Sequence, residues 1–161
     1  VQPVPYTPDH VQVRTAVPGH VTPNDDYLSL IDELATDPAA MEVLDEPERY
    51  DPEQVFYIRG LPKDAEGNTH LMMQLPEGDG FGISYPTEIF PKTVRWILVN
   101  GDAQVAAFAL PSTCEPEGYL AEKAKNNVQV LASGERAVFP VRVGYLDTAA
   151  AEQFEATIKA L

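Results

Sequence analysis

From Glu53 onward the chain changes period. Seven β-rich runs follow one another at 53–59 (EQVFYIR), 69–75 (THLMMQL), 80–85 (GFGISY), 93–99 (TVRWILV), 104–110 (QVAAFAL), 127–132 (NVQVLA) and 135–146 (ERAVFPVRVGYL), separated by Gly, Asn, Asp and Pro. Short β-rich runs between turn residues read as strands. Parallel neighbours need crossovers of a dozen or more residues, and spacings this tight leave little room for them. The pattern predicts a mainly β fold, an antiparallel sandwich or barrel.

The punctuation supports this. Asn100-Gly101-Asp102 lies between two apolar runs, and Asn-Gly tolerates the positive φ of a tight hairpin. Glu66-Gly67-Asn68 and Ser133-Gly134 suggest two more hairpin connections. In the last run Ala137, Phe139, Val141, Val143 and Tyr145 share one face, and Arg136, Val138, Pro140 and Arg142 the other, which predicts one buried side. Asp147-Thr148 can cap a terminal helix with a stripe of Phe154, Ile158 and Leu161.

The first third is different. Residues 1–56 hold 12 acidic and two basic residues, and nine of the 15 prolines precede residue 63. Proline lacks the ladder donor, so no regular sheet is expected there. Thr22-Pro23-Asn24-Asp25 resembles a helix start, and Tyr27, Leu30, Ile31 and Leu34 then form one apolar stripe. A second short turn can begin at Asp37-Pro38 and carry Met41 and Leu44. The expected organisation is a single β-sandwich unit over 1–161. It comprises an acidic Pro-rich segment with short helices (1–50), a sheet core (51–147) and a C-terminal helix (148–161). The chain begins at Val1, with its first Met at Met41, so it is expected to be part of a longer product, or a processed or engineered chain.

Charge narrows the partners. With 25 acidic against 11 basic residues the chain carries a net charge of −14. Phosphate backbones and anionic membranes recruit Lys and Arg, so neither nucleic acid nor a membrane surface is expected. No apolar run is long enough to span a bilayer, and the N-terminus lacks a basic-then-apolar leader pattern. Cys114 is alone, which excludes an internal disulfide and points to the cytoplasm.

Most catalytic signatures are missing. There is no GxxxxGK[ST], GxSxG, HExxH or CxxC. Gly78, Gly80 and Gly82 precede a strand, not the helix N-terminus a pyrophosphate would need. His10, His20 and His70 have no ligand spacing, so no metal is expected. Four features remain, each with a bland reading beside a functional one. Trp96 is a core residue or a sugar-stacking surface. Arg95 and Arg142 are solvated strand residues or line a polar cleft. Glu53 is an exposed acid or a hydrogen-bonding group. Glu115 and Glu117 are loop acids or lie on a binding rim.

The succession DPEQVFYIRGL, a Gly-Asn turn, GFGISYPTEIFPKTVRWILVNG and QVAAFALPSTCEPEGYLAEKAKNNVQVLASGERAVFPVRVGYLD, over about residues 50–147, resembles the C-terminal half of galactose-mutarotase-like proteins. It is most similar to the aldose-1-epimerase-related branch of uncharacterised bacterial sugar-binding proteins. The resemblance implies half of a large antiparallel supersandwich that binds a carbohydrate on its concave face without metal or organic cofactor. It also implies that another chain, or a missing N-terminal half, covers the open sheet edges. Active mutarotases open and reclose the sugar ring with a glutamate base and a histidine acid facing across the pyranose. The base belongs to a Leu-Glu-Pro segment. One register puts Leu110 of Ala109-Leu110-Pro111 there, and a shifted one offers Glu115 of Cys114-Glu115-Pro116. The acid histidine's motif has no counterpart, while Trp96 matches the binding tryptophan although Ile97 follows it.

Two classes of function follow. The first is a carbohydrate-binding protein, an aldose 1-epimerase-like isomerase if active, with Glu115 as candidate base and Trp96, Glu53 and Arg95 as substrate-binding residues. The second is a non-catalytic interaction subunit or structural β-sandwich module, docking another polypeptide through a sheet edge and the Tyr27–Leu34 stripe.

Overall fold

The computed structural model describes residues 11–14, 32–33, 36–37, 43–51 and 53–161. Among the described residues seven strands form two antiparallel sheets. The first sheet holds β1 (Val11–Arg14), β2 (Gln54–Arg59), β5 (Lys92–Val99) and β6 (Gln104–Ser112) in the order β1-β2-β5-β6. The second holds β3 (Asn68–Gln74), β4 (Gly80–Pro86) and β7 (Arg142–Leu146) in the order β3-β4-β7. Two α-helices lie wholly among the described residues, α1 (Tyr119–Ala124) and α2 (Thr148–Lys159), with a 3-10 turn at Pro47–Tyr50. No helix among the described residues is long and apolar enough to cross a membrane.

The second sheet positions the site. Two faces of β3 and β4 serve different partners, as period two requires. One face carries Leu71, Ile83 and Tyr85, which cluster with Phe90 and pack against Leu61 and Phe108. The Tyr85 hydroxyl hydrogen-bonds the Thr93 hydroxyl of β5, tying the two sheets together. The other face carries Met72, buried beneath Ala151 and Ile158 of α2 with Leu146 and Phe154 at the margin. Asp147 caps α2 as its sequence suggests, its Oδ1 accepting from the Ala150 N–H at 2.9 Å. Gly82 lets this helix approach, because a Cβ there would lie 2.9 Å from Leu146 Cδ1 and 3.0 Å from the Phe154 ring.

Several expectations are corrected. The run 127–132 is not a strand and 135–146 is a strand only over Arg142–Leu146. A ladder needs a hydrogen-bonded neighbour, and among the described residues no strand pairs with 127–141. The face of Phe139, Val141, Val143 and Tyr145 is exposed rather than buried, with Val143 at 67%. Glu66-Gly67-Asn68 joins different sheets, so it is a turn but no hairpin, and Ser133-Gly134 turns between irregular segments. The hairpin at Asn100 stands, but its backbone is not in the positive-φ region. Instead the Asn100 side chain accepts from the Asp102 and Ala103 N–H groups at 2.9 and 2.8 Å, which closes a four-residue loop. β1 forms within the Pro-rich third because 9–17 contains no proline, and it pairs only at the sheet edge. Asp32, Glu33 and Thr36 are helical, whereas Thr22–Asp25, the stripe Tyr27, Leu30, Ile31 and Leu34, and Pro38 and Met41 lie outside the described residues. α1 and the 3-10 turn had no expectation.

Candidate functional site

Pairing within the second sheet places three polar side chains abreast. β3 meets β4 with His70 opposite Ser84, and β4 meets β7 with Ser84 opposite Arg142. Residues opposite one another share a face, with Cβ atoms about 5 Å apart. The loop entering β3 adds a fourth group. Gly67, at φ +86°, lets the chain turn back so that Asp64 Oδ1 accepts from the Glu66 and Asn68 N–H groups at 3.0 and 2.8 Å. Asp64 Oδ2 is then left facing His70 Nε2 at 2.9 Å, while His70 Nδ1 lies 2.8 Å from Ser84 Oγ.

The order of protons follows from the chemistry of the two ends. An ionised carboxylate only accepts, so a neutral His70 donates from Nε2 to Asp64 and accepts the Ser84 hydroxyl proton at Nδ1. The Asn68 N–H is the main influence holding the Asp64 carboxyl below its ordinary range; partial burial opposes it and His70 adds to it. His70 is 9% exposed, and Phe154 of α2 meets its ring edge to face at 5.7 Å. These groups open onto a cleft of about 520 Å³, whose other walls are Glu66, Asn68, Pro86, Pro140, Val141 and Arg142.

The residues named from sequence occupy other places. Glu53 and Trp96 do meet, the indole N–H donating to Glu53 Oε2 at 2.5 Å beside the half-buried ring. Arg95 follows the opposite face of β5, fully buried with its guanidinium 5.9 Å from the Phe56 ring centre. Glu115 is 3% exposed after β6, with its carboxylate bonded to Arg59 and, at 2.9 Å, to Lys125. Burial works to raise its pKa, but the two cations outweigh it and the carboxyl is held low. Trp96 pairs with Val55, four residues along β2 from Arg59, whose side chain holds Glu115, so the backbone positions that carry the two groups are about 13 Å apart along the strand.

Beside Glu115, the carboxylates of Glu117 and Glu122 converge in a group of metal-ligating type. The Lys125 ammonium bonds all three, at 2.9 Å to Glu115, 2.6 Å to Glu117 and 2.9 Å to Glu122, so a cation of the protein already balances them.

Sequence reasoning weighed His70 only as a metal ligand and as the acid histidine of the resemblance, found neither spacing nor motif for it, and left Ser84 and Asp64 unremarked. A signal was present: the β3–β4 hairpin turns about Glu77, and any pairing symmetric about that residue sets 70 against 84. No family model, curated protein or solved structure matches this chain.

Proposed function

We propose that this chain is a carbohydrate-binding protein of the mutarotase-like type and that its ligand lies in the His70 cleft. The observation that carries this reading is the lining of the cleft. Asp64, Glu66, Asn68 and Arg142 offer planar, forked donors and acceptors suited to vicinal hydroxyls, and Pro86 and Pro140 offer apolar surface for a ring face. Its volume of about 520 Å³ falls within the usual range for small-ligand pockets, roughly 300–1,000 Å³. The motif succession of residues 50–147 supports the same class, with the two sheets forming part of an antiparallel sandwich. Binding is favoured over epimerisation at Glu115, because a carboxylate shared between Arg59 and Lys125 is a poor proton acceptor.

Titration of the 15N-labelled protein with free aldoses tests this. Expected are amide shifts at Asn68, His70, Ser84 and Arg142, and an affinity roughly tenfold weaker for Glu66→Ala, the loss of about one charge-assisted hydrogen bond. Shifts confined to Trp96 and Glu53 would move the site to the first sheet, and no shift with any aldose would end the carbohydrate reading.

A second reading, an interaction subunit, is favoured by one observation. The outer edge of β7 has no partner among the described strands, and Phe81, Val143 and Tyr145 form an exposed apolar row beside it. A β-strand of another polypeptide would complete that sheet.

A further inference from the structure

We propose that Ser84, His70 and Asp64 form a nucleophilic relay that hydrolyses an O-acyl ester, the acyl group being carried by the sugar held in the same cleft. The choice of a sugar ester rests on the carbohydrate reading; the chemistry of the relay does not. Three observations converge. Ser84 Oγ lies 2.8 Å from a ring nitrogen of His70, and the other ring nitrogen lies 2.9 Å from Asp64. Asp64 is held in place by two backbone N–H groups on its second oxygen, so its free oxygen is aimed at the imidazole. All three residues line a cleft open to a small molecule. A nucleophile bonded to a base, with the base oriented by a third group, is the arrangement nucleophilic catalysis requires. Here Nδ1 faces the hydroxyl and Nε2 the carboxylate, and either ring nitrogen of a neutral imidazole can serve as the base.

The steps balance with water as the only co-reactant. Ser84 Oγ attacks the ester carbonyl carbon as its proton passes to His70 Nδ1. The carbon–oxygen bond to the sugar then breaks, and the departing sugar oxygen takes the proton from Nδ1. Water attacks the acyl-serine, gives a proton to Nδ1, and the Oγ–carbon bond breaks as that proton returns to Oγ, releasing a carboxylic acid. Arg142, opposite Ser84 and lining the cleft, is the cation placed to bind the carbonyl oxygen as it becomes negative. Asp64 is a positioning residue: it holds the tautomer whose Nδ1 can accept a proton.

The test uses 4-nitrophenyl acetate, a peracetylated aldose and a fluorophosphonate probe on the intact chain. Expected are acetate release, fluorophosphonate adduct on the peptide containing Ser84, and loss of both in Ser84→Ala, with kcat/KM down about a hundredfold or more. Asp64→Asn retains an oxygen for the loop N–H groups but presents an amide N–H to Nε2, so kcat should fall with KM little changed. Ser84→Ala removes one half-buried oxygen, and an unchanged circular dichroism spectrum and thermal midpoint would show that the fold remains. Aldose binding without acetate release or labelling would overturn the relay, as would turnover that Ser84→Ala leaves intact. Ser84-dependent turnover in a protein that binds no aldose would sustain the relay and remove the sugar.

Discussion

Single residues in this protein are held by local demands that can be tested one at a time. Burial alone would raise the Glu122 pKa, yet the Glu115 N–H, the Lys125 ammonium and the Asn127 side chain outweigh it and bring the carboxyl down to about 2. A carboxyl bound less readily by protons in the folded state stabilises the fold above its ordinary pKa of 4.5 and loses that contribution as pH falls through about 2. Urea midpoints should therefore be steady from neutral pH down to about 5 and fall below that. In Glu122→Gln the fall should be shallower, from a neutral-pH stability lowered by about 2 kcal/mol; an unchanged acid limb would show that Glu122 does not set it. Glycines make a second contrast. A Cβ at Gly80 would lie 2.4 Å from the Met73 carbonyl oxygen, whereas at Gly101 it would meet nothing within 4 Å. Gly80→Ala should cost about 2 kcal/mol or more, because backbone must move, and Gly101→Ala should be close to neutral in a thermal melt.

Elements form here from information of two kinds, and only one is local. The five runs from Gln54 to Ser112 are legible because each is rich in β-forming residues, and turn residues such as Gly78 at φ +91° and the Asn100 side chain separate them. Helix α2 is legible because Asp147 supplies the cap and Phe154 and Ile158 recur on one face. The runs 127–132 and 135–141 are β-rich too and still form no strand, because strand formation needs a pairing neighbour that local composition cannot supply. The candidate site was illegible for a related reason. His70 and Ser84 are 14 positions apart, and only the register of the β3–β4 hairpin makes them neighbours. Glu115 was legible as a polar loop residue but its two cations were not, since Arg59 lies 56 positions away. At this scale the cap is the sharpest test. Asp147→Ala should lower stability by about 1 kcal/mol, and Ile158→Ala, which empties a fully covered site between α2 and Met72, by about 2–5 kcal/mol. Thermal melts that left both unchanged would mean that α2 is not part of the cooperative unit.

Across the whole molecule, charge and apolar surface are distributed unequally. The chain carries a net charge of −14, yet residues 127–146 contain one acid, Glu135, against two arginines, Arg136 and Arg142. The same stretch exposes Val130 at 86%, Val138 at 77% and Tyr145 at 60%. Repulsion that keeps acidic surfaces apart is therefore weak where the described residues expose this apolar surface and where β7 has no outer neighbour among the described strands. An edge of this kind pairs with other strands unless something blunts it. The isolated chain should associate as its concentration rises from micromolar to roughly 0.1 mM, measured by sedimentation velocity. Val143→Lys places a charge on the exposed side of β7 without touching the core, and should shift that association to higher concentration while leaving the thermal midpoint within about 1 °C, as surface changes do. Sedimentation independent of concentration in both proteins would remove the interaction reading. Association suppressed by Val143→Lys but with aldose shifts at Asn68 and His70 retained would place the two activities on opposite faces of one sheet, since Val143, exposed on β7, pairs with Ile83 on one face and Arg142 pairs with Ser84 on the other.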